Sequence, residues 1–567
     1  MRARLRHILF GDAPAGTVAA VLGVAVLLVA VTFIPYALFS ARTPPDHQFM
    51  GIIDSPSDQN CYLAWMRQAA QGRALWREHM TSEPHEPVFT NSLWYVLGRT
   101  VAITGWDPYT VYEGARVLFG FVHFVVLYRV LALFLKDQRQ RWYAFLLVAV
   151  GAGFGGYLAP FIGDRRPDLF VDAYVTEAFS FYSVLAYPHF ALSLTFLYVT
   201  LALAMRALES ASVPLAVIAG VVGLLMASFH PYCVATVGVV CAVYAALMAH
   251  LGRIRAGRGV ALLVGLGLPM LPQVAYLLWA VSTSPIMASW SRAMAESCRS
   301  YAPLGYLMGY GLVGLLALTG IRLVFAWEAM QPRELFIAAW LLGGVPLLYS
   351  FPVLGFERRL SEGLQLPITV LAVRQLFGPV AEALARTPTG RTWGVERTRR
   401  ALPVVVLVLS LPTAAWLLVR PLAVTRDPSR IEDKYYLHRE ELGALRYLTE
   451  VSTEEDVVLS AGGIGNYIPR MTDARVLLGH YAETVDRELR ERDVAGFFSV
   501  GAADAARTKL LRERGVTYVW WGIEEQQLGA FDPTRLGYLV PVFASEHVAV
   551  FRVDRFRMPS GKRGLSR

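Results

Sequence analysis

The sequence predicts a polytopic α-helical membrane protein with a C-terminal α/β domain, and three observations predict it. Of 567 residues, 55% are hydrophobic and only 17% are charged, with a mean hydropathy of +0.42, outside the range of soluble globular chains. Apolar runs long enough to cross a hydrocarbon core of about 30 Å recur up to residue 419. From about residue 425 the composition changes to that of a soluble domain in which strand and helix patterns alternate.

The net charge of +9 does not point to a nucleic-acid partner. Its arginines cluster in short segments between apolar runs, where the positive-inside bias puts them, so the charge reports topology. The four cysteines, Cys61, Cys233, Cys241 and Cys298, form no CxxC pair and have no histidine at metal-ligand spacing. Cysteine chemistry is therefore not expected. Cys61 and Cys298 fall on the same outer side, where a disulfide is open to them, although two unconnected cysteines are the plainer reading.

Arg2, Arg4 and Arg6 precede a first span at about 17–40 and place the N-terminus in the cytoplasm. That run is longer than a signal-peptide core, so it reads as an uncleaved span. Residues 41–110 then form an outer loop too long and too rich in Trp, Pro and Gly to be a simple connector. Trp65, Trp76, Trp94, Trp106 and Trp290 lie in or beside outer segments, where interfacial anchoring explains most of them.

Further spans are expected at about 113–135, 142–162, 188–206, 213–229, 232–250, 259–281, 304–325, 335–352, 364–381 and 402–419, eleven in all, with the C-terminus outside. The third passes through a glycine-rich stretch, GAGFGGY, that reads as flexible. An acidic and aromatic outer loop at 163–186 carries Asp164, Asp168, Asp172 and Glu177. Two arginine pairs, Arg165-Arg166 and Arg358-Arg359, sit on the outer face against the charge rule, which invites an anionic ligand. The membrane domain thus covers 1–424.

Residues 425–567 are expected to form a soluble extracytoplasmic α/β domain. Helices are predicted at 437–450 and across 482–514, and strands at 456–461, 475–479, 516–521 and 548–553. The AGGIGNYIP turn lacks a Walker lysine and a full GxGxxG, so it reads as a backbone turn and not as a nucleotide loop.

Asp58 is the first candidate for chemistry. Pro56 and Ser57 precede it and Gly72 closes a short amphipathic helix, so Ser57 or Asp58 is expected to cap the N-terminus. With Ser57 as cap, Asp58 sits in the first turn as a carboxylate suited to accept a proton from a hydroxyl. Asp54 is the other carboxylate nearby. Tyr62, four residues on, shares the helical face and is placed to orient the carboxylate or stack on a sugar ring. Glu177, His189 and His230 can bind hydroxyls, hold a cation or steer a phosphate, and each is equally readable as an ordinary surface or interface residue. Arg358 and Arg359 suit the phosphate oxygens of an anion, unless Glu357 or Glu362 neutralises them internally. His123, deep in the second span, reads as an interhelical hydrogen-bonding group.

The run Asp58-Gln59-Asn60-Cys61-Tyr62, followed by Arg67-Gln68 and Gly72 shortly after the first span, resembles the first-loop motif of the GT-C superfamily of polyprenyl-phosphate-dependent glycosyltransferases. Protein O-mannosyltransferases and bacterial aminoarabinose transferases are among its members. The resemblance covers about residues 10–420 in topology and some 15 residues in motif. It implies that Asp58 is the catalytic carboxylate. The second acidic position of the motif is Gln59 here, which weakens the inference of a metal held by paired carboxylates and leaves open whether a divalent cation, Mg²⁺ or Mn²⁺, takes part.

What the resemblance implies is a hexosyl or pentosyl transferase of the inner (plasma) membrane. A polyprenyl-phosphate sugar is the donor and the hydroxyl of a glycan, lipid or protein the acceptor. The resemblance makes Asp58 the base; Tyr62, Glu177, His189, His230, Arg358 and Arg359 are expected to bind substrate by their placement and chemistry, not by a family motif, and no metal ligand is assigned. Two other classes remain open on sequence: a non-catalytic membrane assembly or scaffold protein on the same fold, and a transporter. Transport calls for charged groups deep in several spans, where Arg116, Arg129 and Arg374 are the few available.

Overall fold

The computed structural model describes residues 14–163, 165–425, 434–529 and 531–559. The expected cytoplasmic arginines Arg2, Arg4 and Arg6, and Asp164 of the acidic loop, lie outside them. The chain divides into two compact units. The first comprises Met1–Pro35, Glu113–Leu278 and Ala295–Arg420; the second comprises Tyr36–Tyr112, Trp279–Met294 and Pro421–Arg567. The chain passes from the first unit to the second for the last time at Arg420/Pro421, and residues 41–110 lie in the second unit.

Among the described residues, eight helices are long and apolar enough to cross a membrane, and Val213–Ala227 and Pro303–Thr319 are shorter apolar helices. Together with Pro332–Leu347 they account for all eleven expected spans. Pro332–Leu347 has 16 residues and begins with Pro332-Arg333-Glu334, which makes it shorter and more polar at its start than a spanning helix of about 20 residues. Neighbouring helices pack in pairs: Pro188–Glu209 on Val213–Ala227, Cys233–His250 on Pro332–Leu347, and Pro303–Thr319 on Gln365–Phe377.

The glycine-rich stretch of the third span is a packed break, not a flexible one. The helix Gln138–Val150 stops and restarts as Gly155–Ile162. The amides of Gly153 and Gly155 donate to Asp172 Oδ2 at 3.1 and 3.0 Å, that of Gly156 donates to Thr413 Oγ1 at 2.8 Å, and those of Ala152 and Phe154 donate to the carbonyls of Ser410 and Met308. Every donor freed by the break is thus paired inside protein, the condition under which non-helical backbone is tolerated at membrane depth. A Cβ on Gly153 would lie 2.0 Å from the Met308 carbonyl oxygen, so only glycine fits that approach.

In the second unit a five-stranded sheet is built from β3 (Val457–Leu459), β4 (Arg475–Val476), β5 (Tyr518–Trp521), β6 (Leu539–Ala544) and β7 (Ala549–Val553), in the order β4-β3-β5-β7-β6. β3 runs parallel to β4 and β5, while β7 is antiparallel to β5 and β6. The predicted strands are present, and β6 is added to them.

Alternation along these strands feeds two cores. Val458, Trp520 and Val550 pack with Leu442, Leu445 and Leu448 of the helix Arg439–Val451; Leu459, Val519 and Phe551 pack with Phe497 and Leu511 of the helices Arg487–Phe498 and Asp504–Glu513. Met50 enters the first core, so the 36–112 segment shares it.

That segment is also joined to the domain by a second sheet, β1 (His47–Phe49) antiparallel to β2 (Tyr436–His438), with His47 opposite His438. Ion pairs add to it: Arg67 with Asp473 at 2.9 Å and Arg77 with Glu455 at 2.8 Å.

Candidate functional site

Asp58 stands in the first turn of the helix Pro56–Ala70, whose N-cap is Ser55 and not the expected Ser57 or Asp58. Ser55 takes a left-handed backbone conformation, φ 35° and ψ 75°, and its hydroxyl donates to Asp58 Oδ2 at 2.6 Å. Pro56 fills the first helical position, where its missing N–H costs nothing. Asp58 is therefore a first-turn residue whose carboxylate accepts from the cap.

The other oxygen, Oδ1, faces the C-terminal part of the chain. His480 Nε2 lies 2.9 Å from it and the Tyr481 hydroxyl donates at 3.4 Å. The Ala482 amide donates to His480 Nδ1 at 3.2 Å, which makes Nδ1 the acceptor and places the imidazole proton on Nε2, pointed at Asp58. Three donors from two distant parts of the chain thus fix the direction of one carboxylate. Its side chain is 23% exposed while that of His480 is 4% exposed, so the imidazole is the buried support and the carboxylate the accessible group.

Beside this pair, in the same unit, opens a cavity of about 740 Å³ lined by Pro56, Ser57, Asn466, Tyr481, Arg487 and Glu491, among others. Its wall includes Ala461, Gly462 and Gly463 of the AGGIGNYIP turn, and the ring of Tyr481 is 41% exposed. Tyr62, on the same helix as Asp58, stacks on Trp94 at 4.6 Å between ring centroids and lies against Trp65, whereas the phenol that reaches Asp58 is that of Tyr481. Asp54 is buried, and its carbonyl accepts from the Gln59 side chain. Gln59, at the motif's second position, is thereby turned to the backbone.

The remaining predicted residues gather in the first unit. Arg359 Nη1 lies 3.2 Å and Arg358 Nε 3.8 Å from Glu177 Oε1, so Glu177 supplies counter-charge to the anomalous arginine pair. The Arg359 guanidinium also sits over the Phe190 ring at 5.3 Å. His230 Nε2 lies 2.7 Å from Glu362 Oε2, the Ser193 hydroxyl donates to Glu362 Oε1, and the His189 ring lies 6.1 Å from that of His230. Glu177, His189, His230, Glu357 and Glu362 are all buried. The second arginine pair differs: Arg166 is bonded to the exposed Asp168 two residues on.

Two of the three arginines that transport would call for are neutralised locally. Arg116, fully buried, pairs with Glu113 at 2.8 Å and donates to Thr32 and the Val184 carbonyl, and Arg374 pairs with Glu334 at 3.0 Å. His123 shares a hydrogen bond with Thr195 of another helix, the interhelical role expected of it. All four cysteines are free thiols.

Among the described residues, three groups of His, Cys, Asp or Glu bring ligand atoms within 4.8 Å of one another: His230, Cys233 and Glu362; Cys61, Glu78 and Glu483; and His438, Glu440 and His547. Asp58 belongs to none of these three groups. His480 and Tyr481 escaped the sequence reading because they follow β4 in the C-terminal part, 422 and 423 residues from Asp58 in the chain, with no local motif to mark them.

Stacked and broken apolar helices, a first-loop helix with its carboxylate, and a terminal α/β layer define a multi-pass membrane protein of the GT-C fold. Among solved structures it is similar to the archaeal oligosaccharyltransferase AglB from Archaeoglobus fulgidus in complex with an inhibitory peptide and a dolichol-phosphate. The TM-score is 0.55 at 11% identity, over 96% of this chain and 75% of that one. It is similar also to an A. fulgidus oligosaccharyltransferase in complex with Zn and sulfate, with a TM-score of 0.52 at 11% identity over 88% and 68% of the two chains. ArnT from Cupriavidus metallidurans, bound to undecaprenyl phosphate, matches at a TM-score of 0.48 and 14% identity over 95% and 98%. At such identities the likeness is one of fold. No protein-family model and no curated protein matches the sequence.

Proposed function

We propose that the chain is a membrane glycosyltransferase that moves a sugar from a polyprenyl-phosphate donor to an acceptor hydroxyl on the extracytoplasmic side, with Asp58 as general base. The observation that carries this reading is the Asp58 carboxylate, accessible itself and aimed by the buried Nε2–H of His480, next to a cavity of mixed polar and apolar lining large enough for a sugar acceptor. The acceptor hydroxyl gives its proton to Asp58 as its oxygen bonds to the anomeric carbon. The bond from that carbon to the phosphate oxygen breaks, and the lipid phosphate leaves with its electron pair. Arg358 and Arg359 are the cations proposed to stabilise that phosphate, with Glu177 holding them in place and His189 and His230 beside them.

The dolichol-phosphate named with AglB supports a lipid-linked donor. The proposed setting is the inner (plasma) membrane, with the N-terminus cytoplasmic and the C-terminal domain outside. A glycan, a lipid or a protein serves as acceptor in this reading.

The test is Asp58→Asn, which keeps the size of the side chain and its ability to accept from Ser55. Purified variant with unchanged thermal stability is expected to lose transfer from a polyprenyl-phosphate sugar by about 10²–10⁴-fold. Product formation at the wild-type rate removes Asp58 as base.

A further inference from the structure

The third of the ligand groups named above is unlike the other two in having an open path to solvent. Cys61, Glu78 and Glu483 are largely enclosed, and burial, with the Glu483 charge next, pushes the Cys61 thiol well up, against the deprotonation a metal needs. His230, Cys233 and Glu362 are wholly buried, and Glu362 already engages His230 and Ser193. His438, Glu440 and His547 lie at the edge of the second unit, with the His547 side chain 49% exposed.

Three elements bring these side chains together. His438 ends β2 and caps the helix Arg439–Val451, Glu440 lies in the first turn of that helix, and His547 lies in the turn between β6 and β7. One oxygen of Glu440 is fixed: Oε2 accepts from the Ser545 hydroxyl at 2.7 Å and from the His547 amide at 2.6 Å. The other, Oε1, lies 3.1 Å from His547 Nδ1.

The spacing suits a tetrahedral ion. With ligand distances of about 2.0–2.1 Å, two ligand atoms at the tetrahedral angle stand about 3.4 Å apart, and two bound imidazole centres about 5.2 Å apart. The observed values are 3.1 Å between His547 Nδ1 and Glu440 Oε1, and 5.4 Å between the His438 and His547 ring centroids. A His47 ring packs edge-on against His438 at 5.1 Å from across the β1–β2 pair, holding it in place.

We infer that His438, Glu440 and His547 form a surface site for a borderline divalent cation of the Zn²⁺ class, with a fourth position open to water. Two imidazoles and one carboxylate are the ligand types such an ion takes, and the Ser545 and His547 amide bonds to Glu440 Oε2 are the outer contacts that aim its free oxygen. The ion takes the place of the proton between His547 Nδ1 and Glu440 Oε1. Bound there, it ties the β6–β7 turn to β2, and through β2 to the strand that leads into the Asp58 helix. No step of the proposed transfer passes through it.

The experiment uses the full chain in detergent, stripped with a chelator and titrated with Zn²⁺, following ion uptake and the thermal midpoint. Uptake of one equivalent at this site, with a raised midpoint and no response to Mg²⁺, is expected. His547→Ala, at a half-exposed position, and Glu440→Gln are each expected to weaken that uptake by about 10–100-fold, while Cys61→Ser and Cys233→Ser leave it unchanged. Absence of saturable uptake, or uptake equal to wild type in His547→Ala, overturns the site. Loss in either cysteine variant with retention in His547→Ala assigns the ion elsewhere and overturns it too.

Discussion

The Glu177 cluster of the first unit and the Asp58 cluster of the second both gather ionisable side chains, and they are held by opposite means. Around Glu177, charge meets charge: Arg358 and Arg359 share one buried carboxylate, and His230 abuts the buried Glu362. Around Asp58, an imidazole N–H, a serine hydroxyl and a phenol aim the carboxylate. The first arrangement fixes two cations whose partner is already inside the protein. The second leaves an oriented acceptor beside a cavity.

Breaking the first arrangement should have the larger effect on stability. Arg359→Gln strips a 14% exposed guanidinium from a 3% exposed carboxylate, and removing one partner of a buried pair costs about 3–5 kcal/mol. Glu177→Gln in the same chain should recover most of that loss in denaturation while donor turnover stays low. Recovery of turnover along with stability would reduce Arg359 to a structural role.

Asp172 sharpens the contrast, being a buried carboxyl held by neutral donors in the first unit. Burial first, against the Thr413 and glycine bonds that pull the other way, pushes it up to about 6 from an ordinary 3.8. The folded state therefore binds its proton more tightly than the unfolded one. The stability this adds is full below about pH 4 and is lost as pH rises through about 6, an increment of roughly 3 kcal/mol. Asp172→Asn should remove that slope between pH 4 and 6, measured as the difference from wild type in thermal midpoint.

His480→Gln should lower kcat by roughly 10-fold or more with little change in KM, since the imidazole acts by aiming Asp58 and not by touching substrate. An equal rise in KM would make it a binding residue. The smallest effect is expected at Arg67 and Asp473, which are 27% and 31% exposed: a double-mutant cycle on thermal stability should return about 0.2–1 kcal/mol of coupling.

The membrane class was legible because its signals are local. Apolar runs and arginine placement depend on neighbours in sequence, so the expected spans coincide with helices, and Arg358-Arg359 stood out as a pair out of place. Their partner was harder to name, because Glu177, about 180 residues earlier in the chain, comes near them only once it folds. His480 carried no signal: its setting is created by the Ala482 amide and by Asp58, which the sequence puts in another region. The grouping of His438, Glu440 and His547 is silent in the sequence for the same reason, since they meet only through the β6–β7 turn. The Gly151–Phe154 break was misread as flexible because glycine content shows what the backbone is free to do, and not which carbonyls and carboxylates will hold it.

Asp58 and His480 are 422 residues apart in the chain. At synthesis rates of about 5–20 residues per second, roughly 20–85 s separate the appearance of the carboxylate from that of its imidazole. During that interval the nascent protein already has Asp58 and lacks the group that aims it. A ribosome that stops before His480 therefore leaves an Asp58 carboxylate without the imidazole that orients it.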